Sequence, residues 1–113
     1  LEALCNCTYL MYLNVSHNKL TAVLDFNPPW FLTHVNLESN EIKEIGQNLS
    51  NFWSLRHLNL SHNFIEKIEH LGHLKYLRYL NLSHNKIIRI ENLDCINLEE
   101  LNIEFNEIFE CGQ

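Results

Sequence analysis

Glycine and proline are scarce, three and two among 113 residues, which excludes collagen-like and linker composition. No apolar run approaches the ~18 residues of a membrane span. The opening LEALCNC has neither the basic flank nor the apolar core of a secretion signal. Bases are few as well: 8 Lys and Arg stand against 14 Asp and Glu, a net charge of −6, which argues against a basic nucleic-acid binder. What is plentiful is Leu (20), Asn (16) and Ile (10), within a 46% hydrophobic share too high for a disordered chain. An excess of Asn beside Leu is the first informative deviation.

The asparagines are periodic. Asn18, Asn40, Asn63, Asn85 and Asn106 are spaced by 22, 23, 22 and 21 residues. Around them one frame recurs: LMYLNVSHNKL, LTHVNLESNEI, LRHLNLSHNFI, LRYLNLSHNKI and LEELNIEFNEI. Written generally this is LxxLxLxxNxL, and on that frame the chain resembles the leucine-rich repeat proteins. Alternating apolar residues within LxLxxN predict a short strand with one face inward. The inward ladders are Leu13, Val35, Leu58, Leu80 and Leu101, then Val15, Leu37, Leu60, Leu82 and Ile103. Parallel stacking of such strands requires a return segment on the opposite side. There the apolar spacing switches to three, as in Ile68, Leu71, Leu74 and Leu77, which suits a 3₁₀-like or extended path. Asn offers a donor and an acceptor on a short stem. At Asn18, Asn40, Asn63, Asn85 and Asn106 it is expected to satisfy backbone groups of its own and the adjacent repeat, a structural role.

The expected fold is therefore an α/β leucine-rich repeat solenoid. It is a curved right-handed coil with a parallel β-sheet on the concave face and 3₁₀ or irregular convex segments. One array of about five repeats covers 1–113. LEALCNCTYL matches the return segment IEHLGHLKYL, and the chain stops at Cys111-Gly-Gln as another return begins. The array is thus expected to be truncated at both ends from a longer protein, since solenoid ends need capping. Departures from the period, the extra residue in Ile45–Leu49, the missing one in Asp94–Leu98, and Pro28-Pro29-Trp30, all fall on return segments.

The four cysteines do not read as a disulfide framework. Cys7 aligns with Leu74, and Cys111 with Ile68 and Ile90, which are core positions; Cys5 and Cys95 are far apart and lack a zinc spacing. Reduced intracellular thiols are expected. Asn-x-Ser/Thr triplets begin at Asn6, Asn14, Asn48, Asn59 and Asn81, three of them inside the strand consensus, and they are read as coincidental. His17, His62 and His84 share one column with Ser39 and Phe105, which supplies no further metal ligand. No metal, no cofactor and no small-molecule substrate is expected. With neither a nucleophile–base pair nor a phosphate-cradling loop, an enzyme is not expected either.

The outward faces of the strands carry the candidate site. One column reads Tyr12, His34, His57, Tyr79, Glu100, and beside it runs Met11, Thr33, Arg56, Arg78, Glu99. The other flank reads Ser16, Glu38, Ser61, Ser83, Glu104, while Asn14, Asn36, Asn59, Asn81 and Asn102 form either an amide ladder or part of the surface. Stacked aromatic and basic side chains favour interface centres. Tyr12, His34, His57 and Tyr79 are the candidate anchors, with Arg56, Arg78, Glu38, Glu100 and Glu104 setting orientation. Residues 90–113 hold seven acids and no base, read either as a solvated edge or as steering toward a basic partner.

The 21–23-residue period, with returns ending IxxLxxLxxL, resembles the intracellular repeat class typified by the nuclear phosphatase-1 regulatory subunit, whose members are scaffolds. Residues 16–42, SHNKLTAVLDFNPPWFLTHVNLESNEI, are similar to the amino-terminal repeats of the leucine-rich-repeat and guanylate-kinase-domain proteins of sperm and ciliated cells. The resemblance implies a non-catalytic module binding a protein partner in a cytoplasmic, cytoskeletal or ciliary scaffold, without nucleic acid or membrane insertion. The kinase's phosphate-binding loop is absent, so that activity does not carry over. The alternatives are a spacer in a polymeric assembly contacting through edges and convex side, an accessory arm of a guanylate-kinase-domain protein, and a secreted receptor ectodomain.

Overall fold

The computed structural model describes residues 10–23, 31–93 and 97–111, the last two of these, Glu110 and Cys111, by backbone alone. Strands β1 (Tyr12–Asn14), β2 (His34–Asn36), β3 (His57–Asn59), β4 (Tyr79–Asn81) and β6 (Glu100–Asn102) join in one parallel sheet, ordered β1-β2-β3-β4-β6. Their register is unbroken: Leu13, Val35, Leu58, Leu80 and Leu101 face one another in one row. Five strands bound a solenoid of about four turns. A second parallel pair, β5 (Arg89–Ile90) with β7 (Glu110–Cys111), links two return segments, a feature the repeat frame does not announce. Cys5, Cys7, Cys95, Asn6, Pro28, Pro29 and Trp30 lie outside the described residues.

Three-residue apolar spacing on the return path has a direct cause. Leu49, Phe52 and Leu55 donate their backbone N–H groups to the carbonyls of Gly46, Leu49 and Phe52, and Leu74 and Leu77 donate to Leu71 and Leu74. Each tight turn brings the next apolar side chain back to the same face. In the 23-residue repeat these turns run together as a 3₁₀ helix over Gln47–Asn51. No α-helix occurs among the described residues. Ile45, Leu49, Phe52, Leu55, Ile68, Leu71, Leu74 and Leu77 are all buried. With the strand residues Val35, Leu58 and Leu80, and Leu37, Leu60 and Leu82 just past the strand ends, they form one continuous core.

Burial fades toward both ends. Leu13, Val15 and Ile103 are half-buried, and Leu101 is 37% exposed although it occupies the same ladder as the buried Leu58. The reason is geometric: β1 and β6 are the outermost strands and have a strand neighbour on one side only.

The periodic asparagines join the turns. Asn63 Nδ2 donates to the Leu60 carbonyl (3.0 Å) in its own turn and to the Leu37 carbonyl (3.1 Å) in the preceding one. Its Oδ1 accepts from Ile42 N–H at 3.1 Å. Asn40, Asn85 and Asn106 repeat this pattern, bonding back to Val15, Leu60 and Leu82 and capping the N–H groups of Leu20, Ile65 and Ile87. Among the described residues Asn18 bonds within its own turn, to Val15 and Ser16, and is exposed. Each of the Leu37, Leu60 and Leu82 carbonyls accepts from two successive asparagines, so both lone pairs are used.

One residue earlier the backbone turns left-handed. His17, Ser39, His62, His84 and Phe105 all have φ between 55° and 60°. His70 and Asn92, 22 residues apart on the return path, have φ 61° and 60°. A non-glycine residue in this region costs on the order of 1–3 kcal/mol. The cost is offset because the bend aims each N–H at the next turn: His17 donates to Glu38, Ser39 to Ser61, His62 to Ser83 and His84 to Glu104, at 2.8–3.0 Å.

Replacing a central ladder asparagine therefore differs from replacing a terminal one. Asn63→Ala orphans the buried Ile42 N–H and leaves a void, with an expected loss of about 3 kcal/mol. Asn18→Ala, removing two exposed bonds, is expected to cost below about 1 kcal/mol. Urea denaturation of the two variants checks the contrast, and equal losses would contradict the bridging role.

Candidate functional site

The in-register sheet places Tyr12, His34, His57 and Tyr79 in one line on its outward face. Strand spacing of about 4.8 Å is close to the stacking distance of aromatic rings, and the side chains use it. Ring centroids lie 4.4 Å apart for Tyr12–His34, 5.3 Å for His34–His57 and 4.1 Å for His57–Tyr79, with interplanar angles of 17–28°. The stack is continuous over four strands. Tyr12 at the outer end is 65% exposed, whereas His34, His57 and Tyr79 are half-buried against their neighbours. Glu100 pairs with Tyr79 and ends the row with a carboxylate.

His57 lies between His34 and Tyr79 in the row. Desolvation within the row lowers its pKa from the ordinary 6.5, and a positive charge on His34 lowers it further. Glu100 and a hydrogen bond to His57's own backbone act in the opposite direction without cancelling the shift. Thr33 Oγ1 lies 2.8 Å from His34 Nδ1 and orients that ring.

Flanking charges are placed unequally. Arg56 is exposed, and its guanidinium makes no hydrogen bond or ion pair among the described residues. Arg78 is half-buried and folds its guanidinium onto the carbonyls of Lys75 (3.0 Å) and Leu77 (3.1 Å). On the other flank Glu38 Oε1 accepts a long bond from Asn59 Nδ2 at 3.4 Å. Glu99, Glu100 and Glu104 are exposed at the far end.

The outward amide column has a local job. Asn14, Asn36, Asn59, Asn81 and Asn102 each accept through Oδ1 the backbone N–H two residues on, at 3.0–3.1 Å. The hydroxyls of Ser16, Ser61 and Ser83 donate to the same oxygens. These are side-chain-capped turns that lead the chain out of the strand. Beside them runs a second ring stack: His62–His84 at 4.1 Å and His84–Phe105 at 4.4 Å. Among the described residues no group of three His, Cys, Asp or Glu is placed to hold a metal ion.

Three aromatic side chains of the surface fall outside the outward columns and gather beside Met11, which heads the column of Arg56. Met11, Phe31, Trp53 and Tyr76, each roughly half exposed, line a groove of about 400 Å³ at the edge where β1, β2, β3 and β4 begin. Arg56, Thr33 and Ser54 complete its lining. The signal that points to the three aromatics is their place three and four residues ahead of the strands, in FLTH, WSLRH and YLRY. Phe52, next to Trp53, is buried in the core.

Family models match the chain in two places: residues 31–87 and residues 6–23 each match a model described as leucine rich repeat. A comparison with curated proteins finds no match. Among solved structures, an internalin of Listeria monocytogenes matches over 97% of this chain with a TM-score of 0.73 and 23% identity. This chain spans 36% of that internalin's length. The likeness concerns the fold.

The depressed His57 pKa gives a stability effect of definite sign. Below 6.5 the unfolded chain takes up this proton before the folded one does. The contribution is full above 6.5 and is lost as pH falls through the lowered folded value. Titration of the imidazole by NMR is expected to place His57 below 6.5, with His34→Gln raising it and Glu100→Gln lowering it further. A pKa unmoved by either change would refute the electrostatic account.

Proposed function

This chain belongs to the leucine-rich repeat family, and from that premise we propose that it binds a protein partner through the concave face of its sheet. A leucine-rich repeat array is a protein-interaction module, a rigid frame that presents a continuous surface. The observation that carries the reading is the four-ring stack of Tyr12, His34, His57 and Tyr79. Rings already held by their neighbours lose little freedom when a partner covers them, so more of the contact energy appears as affinity. The polar tips of Tyr and His suit a centre that is covered yet hydrogen-bonded.

Charge gives the surface a direction. Arg56 and Arg78 lie beside the middle of the row, while Glu100 and Glu104 lie at its end and Glu38 on the opposite flank. A partner with the complementary gradient docks in one orientation and meets like charges in the other. Residues 16–42, with their likeness to the repeats of guanylate-kinase-domain proteins of ciliated cells, support a cytoplasmic scaffold of cytoskeletal or ciliary type. In that setting the array supplies binding and the kinase chemistry stays with other parts of such proteins.

The test is paired affinity capture from ciliated-cell lysate with the chain and its Tyr12→Ala/His57→Ala/Tyr79→Ala variant, both first shown folded by circular dichroism. A partner retained by the unmodified chain is expected to bind the variant at least about tenfold more weakly, since anchor truncations cost on the order of 1–2 kcal/mol or more each. Equal capture by both baits would remove the concave row as the site and favour a spacer contacting through edges or convex side.

A further inference from the structure

We propose that the edge groove along the turns entering β1, β2, β3 and β4 is a second docking site. Its occupant is an extended protein segment that inserts an apolar, preferably aromatic, side chain next to a carboxylate. The inference rests on the array being a protein-interaction module and not on the concave row.

The groove exists because one column is interrupted. Phe31, Ser54 and Tyr76 occupy equivalent places, three residues before His34, His57 and Tyr79. The outer two are aromatic and roughly half exposed, and the small Ser54 between them leaves a depression. Trp53 closes one side, 55% exposed and edge-on to Tyr76 at 6.3 Å, and Met11 closes the other end. The cavity of about 400 Å³ is open along the edge of the sheet. It has room for one large side chain and its neighbour.

The chemistry of the occupant follows from which groups remain unspent. The Ser54 hydroxyl donates to the Leu32 carbonyl at 2.6 Å, and the Thr33 hydroxyl is engaged with the Met11 carbonyl and His34 Nδ1. Arg56 is the charged residue of the lining, and its guanidinium has no partner among the described residues. Arg78 precedes the next strand at the equivalent place, and among the described residues no acid lines the groove. An apolar knob alone would leave that guanidinium partly desolvated and unpaired, whereas an adjacent carboxylate forms a charge-assisted pair with it. A basic segment would meet repulsion.

The experiment selects random dodecapeptides displayed on phage against the whole 113-residue chain, with counter-selection against the Trp53→Ala/Arg56→Glu variant. Circular dichroism verifies that both are folded. The expected survivors carry an aromatic or large aliphatic residue within two positions of Asp or Glu. A synthetic survivor, followed by fluorescence anisotropy, is expected to bind about tenfold or more weakly to Trp53→Ala and to Arg56→Glu. Ser54→Phe, which fills the depression, is expected to abolish binding, and salt to weaken it. Tyr79→Ala on the concave row is expected to change the affinity less than about twofold. No survivors after counter-selection, survivors lacking acids, or binding lost with Tyr79→Ala but kept with Trp53→Ala would each overturn the proposal.

Discussion

A backbone carbonyl has two lone pairs, and at Leu37, Leu60 and Leu82 both are taken by asparagine amides, one from the same turn and one from the next. The same amide group's oxygen caps a backbone N–H of the preceding turn, as Asn63 does for Ile42. Asn40, Asn63, Asn85 and Asn106 thereby each join two turns by two bonds across the gap and one within their own turn. Leucine burial alone is non-directional and would tolerate sliding between turns. The amide bridge does not, because a slip of one residue would leave buried donors and acceptors unpaired. Register in this molecule is a hydrogen-bonding constraint before it is a packing one.

Everything on the outward face inherits that register. Once Leu58 is held opposite Val35 and Leu80, His57 must lie opposite His34 and Tyr79. The rings then stack at 4.1–5.3 Å because strand spacing leaves them no other distance. The left-handed bend at His17, Ser39, His62, His84 and Phe105 belongs to the same system. It spends conformational energy to carry the ladder of N–H to carbonyl bonds past the end of each strand. His62 and His84 stack as a consequence, so their adjacency reflects backbone geometry without requiring a ligand.

What is periodic was legible in the sequence, and what is local was not. The ladders of Leu, Val and Ile, and the line from Tyr12 to Glu100, follow from counting 21–23 residues between equivalent places. The capped turns formed by Asn14, Asn36, Asn59, Asn81 and Asn102 were not readable, because periodicity shows that a residue recurs without showing which backbone group it meets. Left-handed φ at histidine was hidden for a related reason: the frame marks the position, and only the direction of the next carbonyl explains the bend. Fading burial at Leu13 and Leu101 depends on neighbours along the stack, and a residue's place within its own repeat carries no such information. The pair β5–β7 arises between return segments, where the repeat frame is weakest.

The edge groove extends this contrast to recognition. A perfectly regular array presents the same side chain at each step and offers a row, which is suited to a partner that lies along it. A depression needs one step to differ from its neighbours, and Ser54 between Phe31 and Tyr76 is such a step. It lies in the 23-residue repeat, whose extra residue is absorbed by the 3₁₀ helix at Gln47–Asn51 just before Trp53. The strand and the asparagine that follow are unaffected: Leu58 and Asn63 are as well bonded and as deeply buried as their counterparts in the next turn. The amide bridges thus confine an irregularity to the return segment, where it changes the surface and leaves the core unchanged. Selectivity in such an array resides most economically in the residues that break its period, held rigid by those that keep it.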